Sequence, residues 1–141
     1  MTIQQGQCTI FKQNCLSGKE NFTSTGTTYV YKIALYTANA DLSYATTAYT
    51  ATNEITGTGY TARGKTLTPI VPANTDQTAY VSFNNVVWNP ASFTCRGALI
   101  YNSTTGAAVA VLDFGSDKTA TSTFTITFPT ADASNAIIRF S

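Results

Sequence analysis

Short runs of alternating large and small residues, separated by turn-forming clusters and never by a long helical pattern, constrain this chain more than anything else in it. In Tyr29-Val-Tyr31-Lys-Ile33-Ala-Leu35-Tyr36 the large residues 29, 31, 33 and 35 share one face at the two-residue period of a strand. Ala79-Tyr-Val81-Ser-Phe83 alternates in the same way, and Val86-Val-Trp88 follows an Asn-Asn pair and stops at Pro90. Phe93 to Tyr101 reads as a core strand. Asn102-Ser-Thr-Thr-Gly106 then turns it into Ala107 to Gly115, the clearest hairpin signal in the sequence. Phe124, Ile126 and Phe128 alternate with Thr, and Ala136 to Phe140 closes the chain. About eight short strands are expected: an all-β fold, an antiparallel β-sandwich with jelly-roll or related Greek-key order.

The remaining segments are less regular. Residues 1–26 read as an N-terminal arm or an irregular first strand. There Cys8-Thr-Ile-Phe-Lys12 alternates weakly, and Ser17-Gly18 and Ser24-Thr-Gly26 punctuate it. Residues 27–141 are then the sandwich domain. Residues 37–53 are small and polar, with one helical turn expected at Asp41 to Thr46. Leu67 to Val71 is expected to be a strand that Pro69 confines to an edge or a bulge.

Composition supports one β domain and narrows its partners. The 141 residues include 27 Thr, 10 Ser and 10 Asn, while charged residues make up only 11% and the formal net charge is +1. Thr and the aromatics suit a pleated surface. With Lys and Arg scattered, no basic field exists to hold nucleic acid. A Thr-covered surface with few charges has little electrostatic defence against association, which suits lasting contact with protein neighbours. A core of this size needs neither metal nor disulfide. No run approaches 18 apolar residues, and the first residues, Met-Thr-Ile-Gln-Gln-Gly-Gln, lack a basic region leading into an apolar one. Neither a membrane span nor a classical secretory signal is expected. Cys8, Cys15 and Cys95 form no metal or redox motif and are expected to be reduced and structural, a Cys8–Cys15 bridge being the alternative. The acceptor patterns at Asn21 and Asn102 read as turn-rich sequence.

Catalytic motifs are present as letters, without the context their chemistry needs. The chain contains no histidine, which removes the usual general base and the usual neutral metal ligand. Two Glu and five Asp remain, and a small sandwich has little surface for the cleft a carboxylate pair would need. Asp113-Phe-Gly115 reproduces a kinase triplet but reads as a strand end, with Phe114 packing, Gly115 turning, and Asp113 facing solvent or capping an N–H. Asp113 with Asp117 lacks the further oxygens of a calcium loop. Gly59-Tyr-Thr-Ala-Arg-Gly64-Lys65-Thr66 satisfies the phosphate-loop pattern. That chemistry requires a helix N-terminus directly after the loop. Leu67-Thr-Pro69-Ile-Val-Pro72 cannot supply one. The expectation is a glycine-marked turn leading into a strand, with no enzyme activity, no cofactor, no small-molecule substrate and no metal.

Six residues are candidates for an interface. Arg63 and Lys65 flank Gly64 and are placed to pair with Glu54 or with an acidic neighbouring subunit. Arg96, between Cys95 and Gly97 in an apolar strand, must face outward or be paired, and an interfacial salt bridge is one outcome. Tyr60 and Trp88 suit core or interface packing better than stacking on a sugar or a base. Phe11 lies in the candidate docking arm.

Several segments together resemble a family of small tailed-bacteriophage virion proteins. They are Tyr31-Lys-Ile-Ala-Leu-Tyr-Thr37, Thr52-Asn-Glu-Ile-Thr-Gly-Thr-Gly-Tyr-Thr-Ala-Arg-Gly-Lys-Thr-Leu67, Val87-Trp88, Ala98-Leu-Ile-Tyr-Asn102 and Val111-Leu-Asp-Phe-Gly115. The likeness runs from about residue 18 to the C-terminus. The family's loop resembles Gly-Tyr-Thr-x-Gly-Gly, so Arg63 stands where a glycine is common. The resemblance implies a β-sandwich structural protein without catalysis, most simply a capsid decoration or cement protein bound to the major capsid protein lattice. It implies a virion location after synthesis in the bacterial host cytoplasm, and a homodimer or homotrimer is compatible with it. A neck, tail or fibre-associated role is the alternative, and a carbohydrate or host-surface binding sandwich is the second.

Overall fold

In a computed structural model the chain is described over residues 2–23 and 28–140. The expected turn at Ser24-Thr-Gly26, and with it the expected boundary at residue 26, lies outside the described residues. The fold is all-β and antiparallel, layered like a sandwich. Its main sheet has five strands in the order β1-β8-β7-β2-β3. These are β1 (Gly6–Gln7), β2 (Tyr31–Tyr36), β3 (Lys65–Thr66), β7 (Phe93–Asn102) and β8 (Ala108–Ala120). A three-stranded sheet, β10-β5-β4, is built from β4 (Pro69–Thr75), β5 (Thr78–Phe83) and β10 (Ile138–Phe140). β6 (Val86–Trp88) and β9 (Phe124–Ile126) form a pair of their own. This order, rather than a jelly-roll or Greek-key name, describes the connectivity.

The main sheet is covered on both faces. The register places Ile33 opposite Ile100 and Leu35 opposite Ala98. Tyr31 lies on that same face and stacks on Phe22 at 4.3 Å between ring centroids, and Phe22 in turn meets Phe11 and Phe83 edge-on. On the other face Tyr36 donates to the Thr50 carbonyl at 2.6 Å, and the Tyr49 and Tyr101 rings lie 4.9 Å apart. The cover on this second face is the long connection from residue 37 to 64. Its small polar sequence conceals the buried residues Ala40, Leu42 and Ile55. Asp41 to Thr46 forms a bridge and a turn there, not the expected helical turn. Burial on both faces explains why β7 is buried without interruption from Gly97 to Asn102, where an antiparallel strand more often alternates.

Of the two expectations for the first residues, an arm or an irregular first strand, β1 supplies a short strand, paired with β8, and Ile3 bridges Leu42. The weakly alternating stretch after Cys8 is not extended: Thr9–Leu16 forms the helix α1. Phe11 and Asn14, three apart, are buried on one side of α1, and the Cys8 amide before it bonds to the Val109 carbonyl at 2.9 Å. With one large apolar residue on that side and no side-chain cap, the helix carries little sequence signal. Its stability comes from packing Phe11 against Phe22 and Phe140.

The hairpin expected at residues 102–106 forms: the Asn102 side chain accepts from the Thr104 and Thr105 amides. Asp113-Phe-Gly115 is not a strand end. β8 continues to Ala120 past an excursion in which residues 114–117 oppose Arg96 alone, with Gly115 at φ +81°. β4 is an edge strand with a register shift between Ile70 and Ala73, as Pro69 and Pro72 dictate. All three cysteines are free. Cys8 and Cys95 are buried, and burial pushes their thiols up to about 11 and about 12.

Candidate functional site

The region from Glu54 to Leu67 completes the outer edge of β2 in two pieces. Glu54 bridges Tyr36 and the Ile55 amide bonds to the Leu35 carbonyl at 3.0 Å. Further along, β3 pairs with Lys32 and Ile33, and the Leu67 amide reaches the Tyr31 carbonyl at 2.8 Å. Between these pieces the chain swings outward, carrying the glycine-rich pattern. The Leu35 amide would be left without a partner at this gap. Tyr60 fills it: its hydroxyl accepts from the Leu35 amide at 3.0 Å and donates to Glu54 Oε2.

Glu54 is the hub. Tyr49 donates to its Oε1, while the Arg63 amide donates to Oε2 at 2.8 Å. Burial first, then the hydrogen bond to Glu54, pushes the phenols of Tyr60 and Tyr49 well above their ordinary value, so both remain proton donors. The Arg63 carbonyl accepts from the Tyr101 hydroxyl at 2.6 Å, and its guanidinium sits 4.7 Å above the Tyr49 ring. Lys65 donates to the Val87 carbonyl and lies 5.8 Å from the centre of the Trp88 ring.

The glycines set how closely this loop can pack. A Cβ on Gly64 would overlap the Ile33 carbonyl oxygen, and one on Gly59 the Pro90 carbonyl oxygen; both residues have positive φ, +83° and +87°. Arg63 also adopts a left-handed conformation, φ +78°, which favours glycine.

This geometry excludes a phosphate cradle. The Tyr60, Arg63 and Gly64 amides bond to Gly57, Glu54 and Thr61 within the loop. Thr66 ends a strand, and β4 follows in place of a helix, so no helix N-terminus directly follows the loop.

Of the six sequence candidates, the structure brings Tyr60, Arg63, Lys65 and Trp88 into this neighbourhood and leaves Phe11 and Arg96 elsewhere. Phe11 is 0% exposed and Trp88 1%, so neither has surface to offer a partner; both belong to the core. Tyr60 is half-buried with its hydroxyl engaged, whereas Arg63 and Lys65 are exposed. Arg96 pairs within the chain, 3.3 Å from Asp113, at the β8 excursion. Asp113 also caps the Gly115 amide at 2.9 Å. Among the described residues no three His, Cys, Asp or Glu side chains gather to hold a metal.

Tyr49 and Tyr101 were not candidates from the sequence. Their part depends on a connection folding back over the sheet, which no local period reveals. Glu20 was missed for the same reason. Its Oε1 accepts from Tyr31 and Asn102 at 2.9 Å each, while Oε2 is buried with no partner among the described residues.

The class this arrangement defines is an all-β domain whose glycine-rich loop is a structural lock. No protein-family model, curated protein or solved structure matches the chain.

Proposed function

We propose that this protein is a non-enzymatic structural component of a tailed-bacteriophage virion, a decoration or cement protein that binds the major capsid protein lattice. One observation supports the reading above others. The five segments that resemble the phage family, dispersed between residues 31 and 115, converge in space. They form β2, the edge lock from Glu54 to Leu67, the end of β6, and the adjoining stretches of β7 and β8. What the resemblance carries is therefore one connected framework, the buried sheet and the loop that seals its edge, rather than isolated words.

The surface agrees with a binding role. It is rich in Thr and poor in charge, and Arg63 and Lys65 are exposed on a rigid loop. A rigid loop loses little conformational freedom on docking, so its charges can set orientation against an acidic patch. The saccharide-binding alternative called for an exposed aromatic platform at Trp88 or Tyr60, and both residues are used in packing.

The test is to add purified protein to particles assembled without it and locate it by image reconstruction. Density repeated on the capsid lattice supports the proposal, and density confined to the neck or tail replaces it with the neck, tail or fibre-associated alternative. A protein that leaves particles undecorated yet binds oligosaccharides overturns both.

A further inference from the structure

Leu16, the last residue of α1, is 91% exposed, the most exposed large apolar side chain among the described residues. It stands beside a hollow of about 430 Å³ that it lines together with Lys12, Cys15 and Phe140. A second cavity, of about 140 Å³, shares Cys15 and Phe140 with the first and continues to Glu20, Phe22, Val81 and Ile138. An apolar knob and an apolar hole therefore lie side by side on one face, divided by the same two residues. Water is a poor occupant for the smaller cavity, whose walls are mostly carbon, and a poor neighbour for a whole leucine side chain.

We propose that this face is a homodimer interface in which Leu16 of each copy enters the smaller cavity of the other. The occupant is a second copy because knob and hole are both present on one chain and adjacent. A two-fold axis through the Cys15–Phe140 wall exchanges them, so each contact is made twice. The same rotation matches charge. Lys12 lies on the Leu16 side of the wall and Glu20 on the cavity side, so each copy brings a cation to the side where the other holds a carboxylate. The inference is independent of where in a virion the protein sits.

Sedimentation equilibrium of the full chain, from micromolar to sub-millimolar concentration, reads the proposal directly. The expected result is a concentration-dependent dimer. Leu16→Asp is expected to weaken dimerisation by about tenfold or more while lowering the melting temperature of the monomer only slightly, because the side chain is 91% exposed in its own chain and the added carboxylate costs only the small dipole penalty of a helix end. Lys12→Glu is expected to weaken it as well, and Leu16→Met to preserve it. A native chain that remains monomeric throughout, or a Leu16→Asp variant that loses less than about tenfold, overturns the proposal.

Discussion

The Tyr60 hydroxyl stands 3.0 Å from the Leu35 amide and accepts its hydrogen bond, so a side chain occupies the place in the ladder where the backbone has left it. The edge of β2 would otherwise carry an unpaired N–H beside buried residues. Such a group costs the desolvation of a donor without the return of a bond.

Removing this hydroxyl has a calculable effect. Tyr60→Phe keeps the ring against Phe93 but leaves the Leu35 amide unpaired and removes one of the donors to Glu54. The expected loss is about 1–3 kcal/mol in urea unfolding. A change within error would mean that Tyr60 does not seal the edge.

Glycine substitutions separate backbone conformation from close approach. Gly64→Ala meets both problems, φ +83° and a Cβ overlapping the Ile33 carbonyl oxygen, and should cost more than about 3 kcal/mol or prevent folding. Gly115→Ala has a similar φ, +81°, with open space around it, and should cost only about 1 kcal/mol. Equal melting temperatures for the two variants would show that the approach to Ile33 is not tight.

Arg63 holds a conformation that glycine adopts without strain. Arg63→Ala and Arg63→Gly both remove the stacking on Tyr49, so their difference isolates the backbone. Arg63→Gly should be the more stable of the two by about 1 kcal/mol. The reverse order would place the stress of this loop elsewhere.

The phosphate-loop reading is tested by ligand rather than by fold. ATP with magnesium should leave the thermal midpoint unchanged, because three of the loop amides are already bonded and no helix follows. A saturable rise in the midpoint, lost in Lys65→Ala, would restore the nucleotide reading.

Glu20 should make the fold less stable as pH rises. Burial raises its carboxyl above the ordinary 4.5, against hydrogen bonds from Asn102, Tyr31 and Asn14 that lower it. The folded protein therefore holds this proton more tightly than the unfolded chain. Its contribution is complete below the unfolded pKa and is lost as pH climbs through the folded one. Asp132 acts in the opposite sense: hydrogen bonds from Asn135 and the Ser134 amide lower its carboxyl, so its contribution is lost in acid. Denaturant titrations of the native chain and Glu20→Gln across this range should differ by a slope that disappears in the variant. Parallel curves would show that Glu20 titrates normally.

Much of the framework could be read from the residues, and the reasons differ by element. β2 and β5 alternate, Asn102 to Gly106 carries its own turn chemistry, and Pro69 and Pro72 cannot sit inside a sheet; each of these is a local property. α1 was not legible because Phe11 is its one large buried apolar residue and Cys8 supplies no side-chain cap. Of the candidate site, Tyr60, Arg63 and Lys65 could be named from spacing and charge, but the expected charge pairing of Arg63 or Lys65 with Glu54 does not form: Arg63 meets Glu54 through its backbone amide, and Lys65 turns to the Val87 carbonyl. Their partners Tyr49 and Tyr101 could not, since they arrive from elsewhere in the chain. Phe11 and Trp88 show the limit from the other side. An aromatic residue in an irregular or short segment gives no sign of whether it faces a partner or the core.

By itself the sequence determined that the chain is all-β, that its phosphate-loop pattern leads into a strand, and that histidine chemistry is closed to it. These follow from period, from proline geometry and from composition, which act within a few residues or not at all. Only the tertiary structure decided that the main sheet is covered on both faces, that the first residues belong to the fold, and that Glu54, Tyr60 and Leu35 meet at one edge. Those outcomes depend on contacts between distant segments, whose free energy comes from burial and from pairing every polar group, and a local reading contains neither.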